Sequence, residues 1–238
     1  MVRPALVLLL LSGCVPMYVP ASVHAPMLER AGDVHLAVSG GTQGAQLNGA
    51  VAVTDFLAVR ASAQGYAAGD SASTTSGNRG YGNFVSGGAG VGLFHGGNPS
   101  RDVDSGSGLR ASVNLELHGG RSGGGGEFRV TLPSSTVNAF SGTFFRPVLQ
   151  GDVGYEWEFF ALGVAARLSS MQFMHDADSD FANESASMLT AEPFAFARVG
   201  SGNLKFELQA GGVLPVGTSG NVGVPLLVVL SGGLIIDL

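Results

Sequence analysis

The sequence predicts an all-β fold: a single antiparallel up-and-down β-barrel of about ten strands (8–12), with essentially no helix after an N-terminal leader. Three observations carry this. Apolar and polar residues alternate with period two through most of the chain, no segment holds a 3.6-residue apolar stripe, and the intervening connections alternate between tight and long. The composition agrees: 238 residues, 38 of them Gly, 45% apolar and only 13% charged, which excludes a disordered polyampholyte. Twelve Lys and Arg against eighteen Asp and Glu give a net charge of −6, with the cations scattered singly, so no nucleic-acid-binding stripe is present. No cofactor motif is found.

Leu109 to His118 is the clearest strand, with Leu109, Ala111, Val113, Leu115 and Leu117 opposing Arg110, Ser112, Asn114, Glu116 and His118. Leu204 to Gly211 repeats the pattern, as does Phe145 to Trp157, where Phe145, Leu149, Val153, Tyr155 and Trp157 oppose Arg146, Gln150, Asp152 and Glu156. In Phe160 to Leu168 the large residues oppose small ones plus Arg167. Weaker alternation marks Val34–Ser39, Ala45–Val53, Phe56–Tyr66, Asn83–Leu93 and Leu189–Arg198. The apolar run Val224–Ile236 contains Pro225 and Ser231-Gly232-Gly233 between β-branched residues, which favours a strand over a helix. Thr54-Asp55, Glu156–Glu158 and Gly200–Asn203 read as tight turns, whereas 67–82, 120–142, 172–187 and 214–222 read as longer Gly-, Ser-, Asn- and Asp-rich loops. Gly40–Gly44 and Gly96–Gly108 depart from that alternation, being short and long on the opposite rims.

Charge placement says more than the total. Arg60, Arg110, Arg146, Arg167, Arg198 and Lys205 fall within proposed strands, together with Glu116, Asp152, Glu156, Glu192 and Glu207. This near balance suits a narrow lumen, where an isolated buried charge is costly and ions must pair. His35 is read as a further lumen residue. Tyr155 and Trp157, with Phe144 and Phe145 at the other end of the same strand, suit an interfacial aromatic girdle. The Gly-rich stretches 87–90 and 161–166 suit walls where a large side chain of one strand lies over Gly of the next.

The leader divides the chain. Arg3, the apolar run Ala5–Leu11 and the small Ser12-Gly13 follow the order of a secretory signal peptide, and the run is too short to span a bilayer. Cys14, the only cysteine, comes next. The expected organisation is a signal segment over 1–13, an extended tether over 14–31 containing Pro16, Tyr18, Pro20 and Pro26, and a barrel over 32–238.

Leu11-Ser12-Gly13-Cys14 resembles the lipobox of bacterial lipoproteins, and with the tether and the Ala50–Asp55 hairpin the chain resembles outer-membrane β-barrel lipoproteins. The resemblance implies cleavage before Cys14, acylation of Cys14 and residence in the bacterial outer membrane, with Val15 rather than a retention-favouring Asp after the cysteine. Its partners would be membrane lipid and lipopolysaccharide. The chain ends Ile236-Asp237-Leu238, where secreted barrels commonly carry an aromatic residue.

Chemistry-bearing motifs are sparse. Asp176, Asp178 and Asp180, near His175 and Glu184, form the densest acidic cluster and could gather a hard cation. They lack the Gly and the final Glu of a calcium-binding loop, so the reading is a solvated loop and no metal site. A lipid hydrolase would need His118 or His175 beside Ser122, Ser169 or Ser170, and no family motif joins them. The Gly runs lack the Lys-Ser/Thr and the following helix of a phosphate loop. The expectation is a non-enzymatic barrel with a structural, lipid-interacting or surface-binding role rather than an open pore. Two alternatives remain: a lipid-tethered, lipocalin-like periplasmic barrel holding a small apolar ligand, with apolar residues inward and charges outward, and an outer-membrane lipid hydrolase.

Overall fold

A computed structural model describes residues 19–68, 79–96, 107–128, 135–179, 185–219 and 228–238. Eleven strands and no helix are found among them: β1 (Val34–Gly41), β2 (Gly44–Ala52), β3 (Leu57–Ala68), β4 (Arg79–His95), β5 (Gly108–Phe128), β6 (Ser135–Glu156), β7 (Phe160–His175), β8 (Ser185–Ser201), β9 (Leu204–Gly212), β10 (Leu214–Ser219) and β11 (Val228–Asp237). Neighbours in sequence pair antiparallel from β1 to β9, β11 pairs with both β9 and β1, and ten strands thereby close into a barrel. β10 is the extra strand. It pairs with β8 over Ser187–Ala191, above the stretch Phe194–Ser201 that pairs with β9. Closure gives each of the ten wall strands a partner on both sides over most of its length, which removes most of the edge that such Gly-rich strands would otherwise expose.

The two rims differ. One, the turn rim, carries the β2–β3, β4–β5, β6–β7 and β8–β9 connections and joins the barrel's ends, where Val34 and Leu238 exchange backbone hydrogen bonds at 2.9 and 2.8 Å. The opposite, loop rim carries the β1–β2, β3–β4, β5–β6 and β7–β8 connections. In the β2–β3 turn the Thr54 hydroxyl accepts from the amides of Phe56 and Leu57 at 3.3 and 3.0 Å. Gly202, in the tight β8–β9 turn, has φ +60°, a left-handed conformation that glycine adopts without steric cost.

Parts of the expected long loops are strand. β5 runs on to Phe128 and β6 starts at Ser135, so most of 120–142 belongs to the β5–β6 hairpin, and the 67–82, 172–187 and 214–222 segments likewise lose residues to the strands beside them. Gly and Ser are accommodated in a ladder as well as in loops: Gly123–Glu127 pairs with both β4 and β6, and the start of β6 up to Ser141 with β5 alone. Their composition alone does not distinguish the two states.

The expected alternation holds, and its sense is now fixed: most large apolar residues point outward and most polar residues inward, with Phe84, Phe144, Phe173, Phe194 and Phe196 among the apolar residues that are buried. On β5, Leu109, Val113, Leu115 and Leu117 are exposed while Arg110, Ser112, Asn114, Glu116 and His118 are buried; β6, β7 and β9 follow suit. Glycines make room inside. Phe196 lies over Gly163 and Phe194 over Gly211, where an added Cβ would come within 2.2 Å of either ring. On the inward face of β4, Gly88, Gly90 and Gly92 lie beside His118, Glu116 and Asn114 in the same way.

The lumen as candidate functional site

Residues 19–30 contain no strand or helix, as the sequence suggested, but they are not a linker outside the fold. They thread the barrel. Val19 packs with Phe84, Phe144, Phe173 and Met188 towards the loop rim. Val23 and Ala25 meet Phe194, Phe196 and Val229 further down, and Leu28 reaches Ala50, Ala52, Ala58 and Phe94 towards the turn rim. Every residue from Val19 to Pro26 is buried.

Buried backbone must find hydrogen-bond partners, and here the wall supplies them from side chains. Seven consecutive carbonyls are held. Gln64 donates to those of Val19 and Pro20, both at 3.4 Å, and Arg167 to Ala21 and Ser22 at 3.0 and 3.1 Å. Gln46 adds a bond to Ser22 at 3.2 Å, and Gln209 donates to Val23 at 2.5 Å. Gln150 at 2.8 Å and Arg60 share the His24 carbonyl, and Arg198 takes that of Ala25 at 2.6 Å. In return the Val23 amide donates to Gln209 Oε1 at 2.9 Å. Pro20 and Pro26 have no N–H to satisfy, so they reduce the demand on a lumen rich in donors.

The charged residues singled out from the sequence line this same interior. Arg60 pairs with Glu116 at 3.1 Å, Arg146 and Arg167 share Glu192 at 2.9 and 3.2 Å, and Arg198 pairs with Glu207 at 2.7 Å. Nearer the turn rim Lys205 contacts Glu156 and, at 3.0 Å, Asp237, while Arg110 contacts Glu29 and lies 3.8 Å from Glu156. Asp152 is held by neutral donors, Ser112 at 2.8 Å and Gln150 at 3.1 Å. His118 donates Nε2–H to Glu116 at 2.9 Å and His35 donates Nδ1–H to Asp237 at 2.6 Å, because an ionised carboxylate can only accept. The rings of His24 and His35 lie 4.9 Å apart.

Little space is left. A void between the segment and the wall, lined by Ser22, His24, Arg60, Glu116, His118 and Arg167 among others, measures about 10 Å³, on the order of one water molecule. A second, beside Val23 and Ile235, holds none. The occupied, polar interior is the reverse of the apolar cavity that a lipocalin-like ligand site requires.

The remaining candidates disperse. Asp176 accepts from Arg121 at 2.5 Å and Asp178 is exposed; Asp180 and Glu184 lie outside the described residues. No group of three or more metal-ligating residues occurs among the described residues. Ser169 is engaged with Thr190 at 2.7 Å and Glu192 at 3.2 Å, and His118 with Glu116, so both are committed to the buried network. Phe144 corrects the girdle reading: it points inward and stacks on Phe84 at 5.0 Å, whereas Phe145 is exposed. Tyr155 and Trp157 are exposed at the turn rim beside Phe159 and Phe160. Residues 1–18, Cys14 and Tyr18 among them, lie outside the described residues.

Outside, thirty-seven large apolar side chains among the described residues are more than a third exposed. That is far beyond the scattered surface apolars of a monomer in water. On β5 the outward apolar run from Leu109 to Leu117 spans nine residues and stops below exposed Arg121.

Fold and site together define a closed ten-stranded antiparallel barrel, apolar outside, ion-paired inside, and filled by its own N-terminal segment. The chain matches no family model, and no curated protein is similar to it in sequence.

Proposed function

We propose that the protein is an outer-membrane barrel lipoprotein, acylated at Cys14, with a structural, lipid-interacting or surface-binding role and no catalytic activity. One observation carries the reading: the apolar belt around the exterior, set against an interior of paired ions. In water the belt would be an aggregation surface; in hydrocarbon it is the favourable side, and a closed barrel is one of the two architectures whose backbone tolerates a bilayer. The nine-residue alternating stretch Leu109–Leu117 of β5 matches the length of a tilted membrane strand. Tyr155, Trp157, Phe159 and Phe160 then sit at the turn-rim interface. Acylation adds about 0.8 kcal/mol per buried CH₂ to that attachment. Lipopolysaccharide is the lipid expected around the loop rim.

The test is fractionation of the expressed protein, comparing wild type with Cys14→Ala exported by an ordinary signal peptide. Detergent-dependent extraction and a heat-modifiable folded band in both proteins support a wall that faces lipid. A freely soluble mutant makes the body a tethered periplasmic domain and ends the reading.

A further inference from the structure

We infer that the lumen is a binding channel for an extended polypeptide, that residues 19–29 are its resident ligand, and that the ligand is exchangeable. The channel reads main chain. Each carbonyl from Val19 to Ala25 is held by an Arg or Gln side chain of the wall, and the Val23 amide by Gln209. Bonds addressed to side chains are few: Ser22 to Ser39 at 2.9 Å and to Gln46 at 2.6 Å, and Glu29 to Arg110. Main-chain recognition specifies an extended strand with small side chains and tolerates changes of identity, the logic by which sheet edges capture peptides.

The wall's charge balance does not depend on the segment. Arg60, Arg146, Arg167, Arg198 and Lys205 each have a carboxylate partner on another strand. The segment supplies a single ionic partner, Glu29 to Arg110, and its carboxylate is half exposed. Removing the peptide therefore strands no ion in the middle of the barrel; it frees Arg and Gln donors that water can occupy. An ion pair that required the segment would have made it an irreplaceable core element. The inference is independent of what surrounds the barrel, so it can hold or fail apart from the membrane reading.

The experiment starts from the folded full chain. A protease site inserted between Ala31 and Gly32, both exposed and with nothing within 4 Å of a Cβ added at Gly32, is cut after folding, in detergent micelles or in buffer if the protein proves soluble. A fluorescent synthetic peptide of residues 19–30 is then added in excess. The expected result is exchange: the labelled peptide enters, the cut segment leaves, and folded gel mobility persists. A peptide N-methylated at Val23 should bind about tenfold more weakly through loss of the Val23 amide bond to Gln209. Exchanging Ala21 and Ser22 in sequence should change binding only a few-fold, while Ser22→Trp should abolish entry. Retention of the cut segment until global unfolding overturns the inference, as does loss of the folded band on its departure. Equal binding of the N-methylated peptide overturns main-chain recognition.

Discussion

Arg60 on β3 and Glu116 on β5 are two strands apart, and their 3.1 Å ion pair crosses the inner face of β4 at Gly90, which is the register partner of both. A side chain at 90 would stand between them. The pair exists because the residue beneath it has none.

Gly90→Val is therefore expected to break the Arg60–Glu116 contact. A Cβ there would lie 2.2 Å from the Leu115 carbonyl and 2.7 Å from Glu116 Cγ, so both backbone and carboxylate must move. Gly87→Ala is the control, facing outward with its nearest neighbour, the Ser62 carbonyl, at 3.8 Å. The folded band of the first variant should convert to the unfolded one at a temperature well below wild type, and that of the second near wild type.

Glu192 joins four neighbours: Arg146, Arg167, Ser169 and Thr190. Glu192→Leu leaves two buried guanidiniums without their shared carboxylate, and removal of one partner from a buried pair costs about 3–5 kcal/mol. Glu207→Leu, which strands Arg198, and Glu116→Leu, which strands Arg60, should each lower stability as well. Denaturant midpoints in micelles measure this, and unchanged midpoints for all three would remove the paired lumen from the energetic account.

Leu115→Arg tests the exterior directly. Leu115 points outward within the apolar run of β5, and a charge near the bilayer midplane costs about 2–4 kcal/mol in a membrane barrel. The same exposed substitution in water is nearly neutral. Refolding into lipid vesicles should be impaired relative to wild type; refolding indistinguishable from wild type argues for a water-facing wall.

Val19 lies with Phe84, Phe144 and Phe173 towards the loop rim, at the far end of the lumen from Leu28. An epitope placed just before Val19 should consequently be labelled from the same side of the membrane as one at Thr42 in the β1–β2 turn, and from the opposite side to one at Asp55 in the β2–β3 turn. Antibody binding to intact and permeabilised cells distinguishes the sides. Labelling of the Val19 epitope together with Asp55 would contradict the threading.

Most of the wall was legible because alternation survives any register: Leu109–His118 could be assigned two faces with no knowledge of its neighbours. The ionic pairs were legible as a set, though not as pairs, since Arg60–Glu116 depends on the register across β4. Phe144 departs from the girdle reading although its parity places it with Arg146 and Gln150 on the inward face; an aromatic pair at a strand end suggests an interface only where both rings face out. The threaded segment was missed altogether. Its signal was present: residues 15–28 contain no charged residue, whereas a solvated linker would ordinarily be polar. The glutamines at 46, 64, 150 and 209 were equally uninformative, because a donor facing a backbone carbonyl leaves no pattern at the carbonyl's own position.

The path of residues 19–30 makes the molecule a lasso: a ring of strands, closed non-covalently where β1 meets β11, through which the chain leading into that ring has passed. The two voids beside the segment hold at most about one water molecule, so an N-terminal group much bulkier than a bare peptide meets a filled lumen once the ring has closed. The order of assembly is then imposed by topology. The N-terminal residues must lie along the inner face of the open sheet before the last seam of the ring closes.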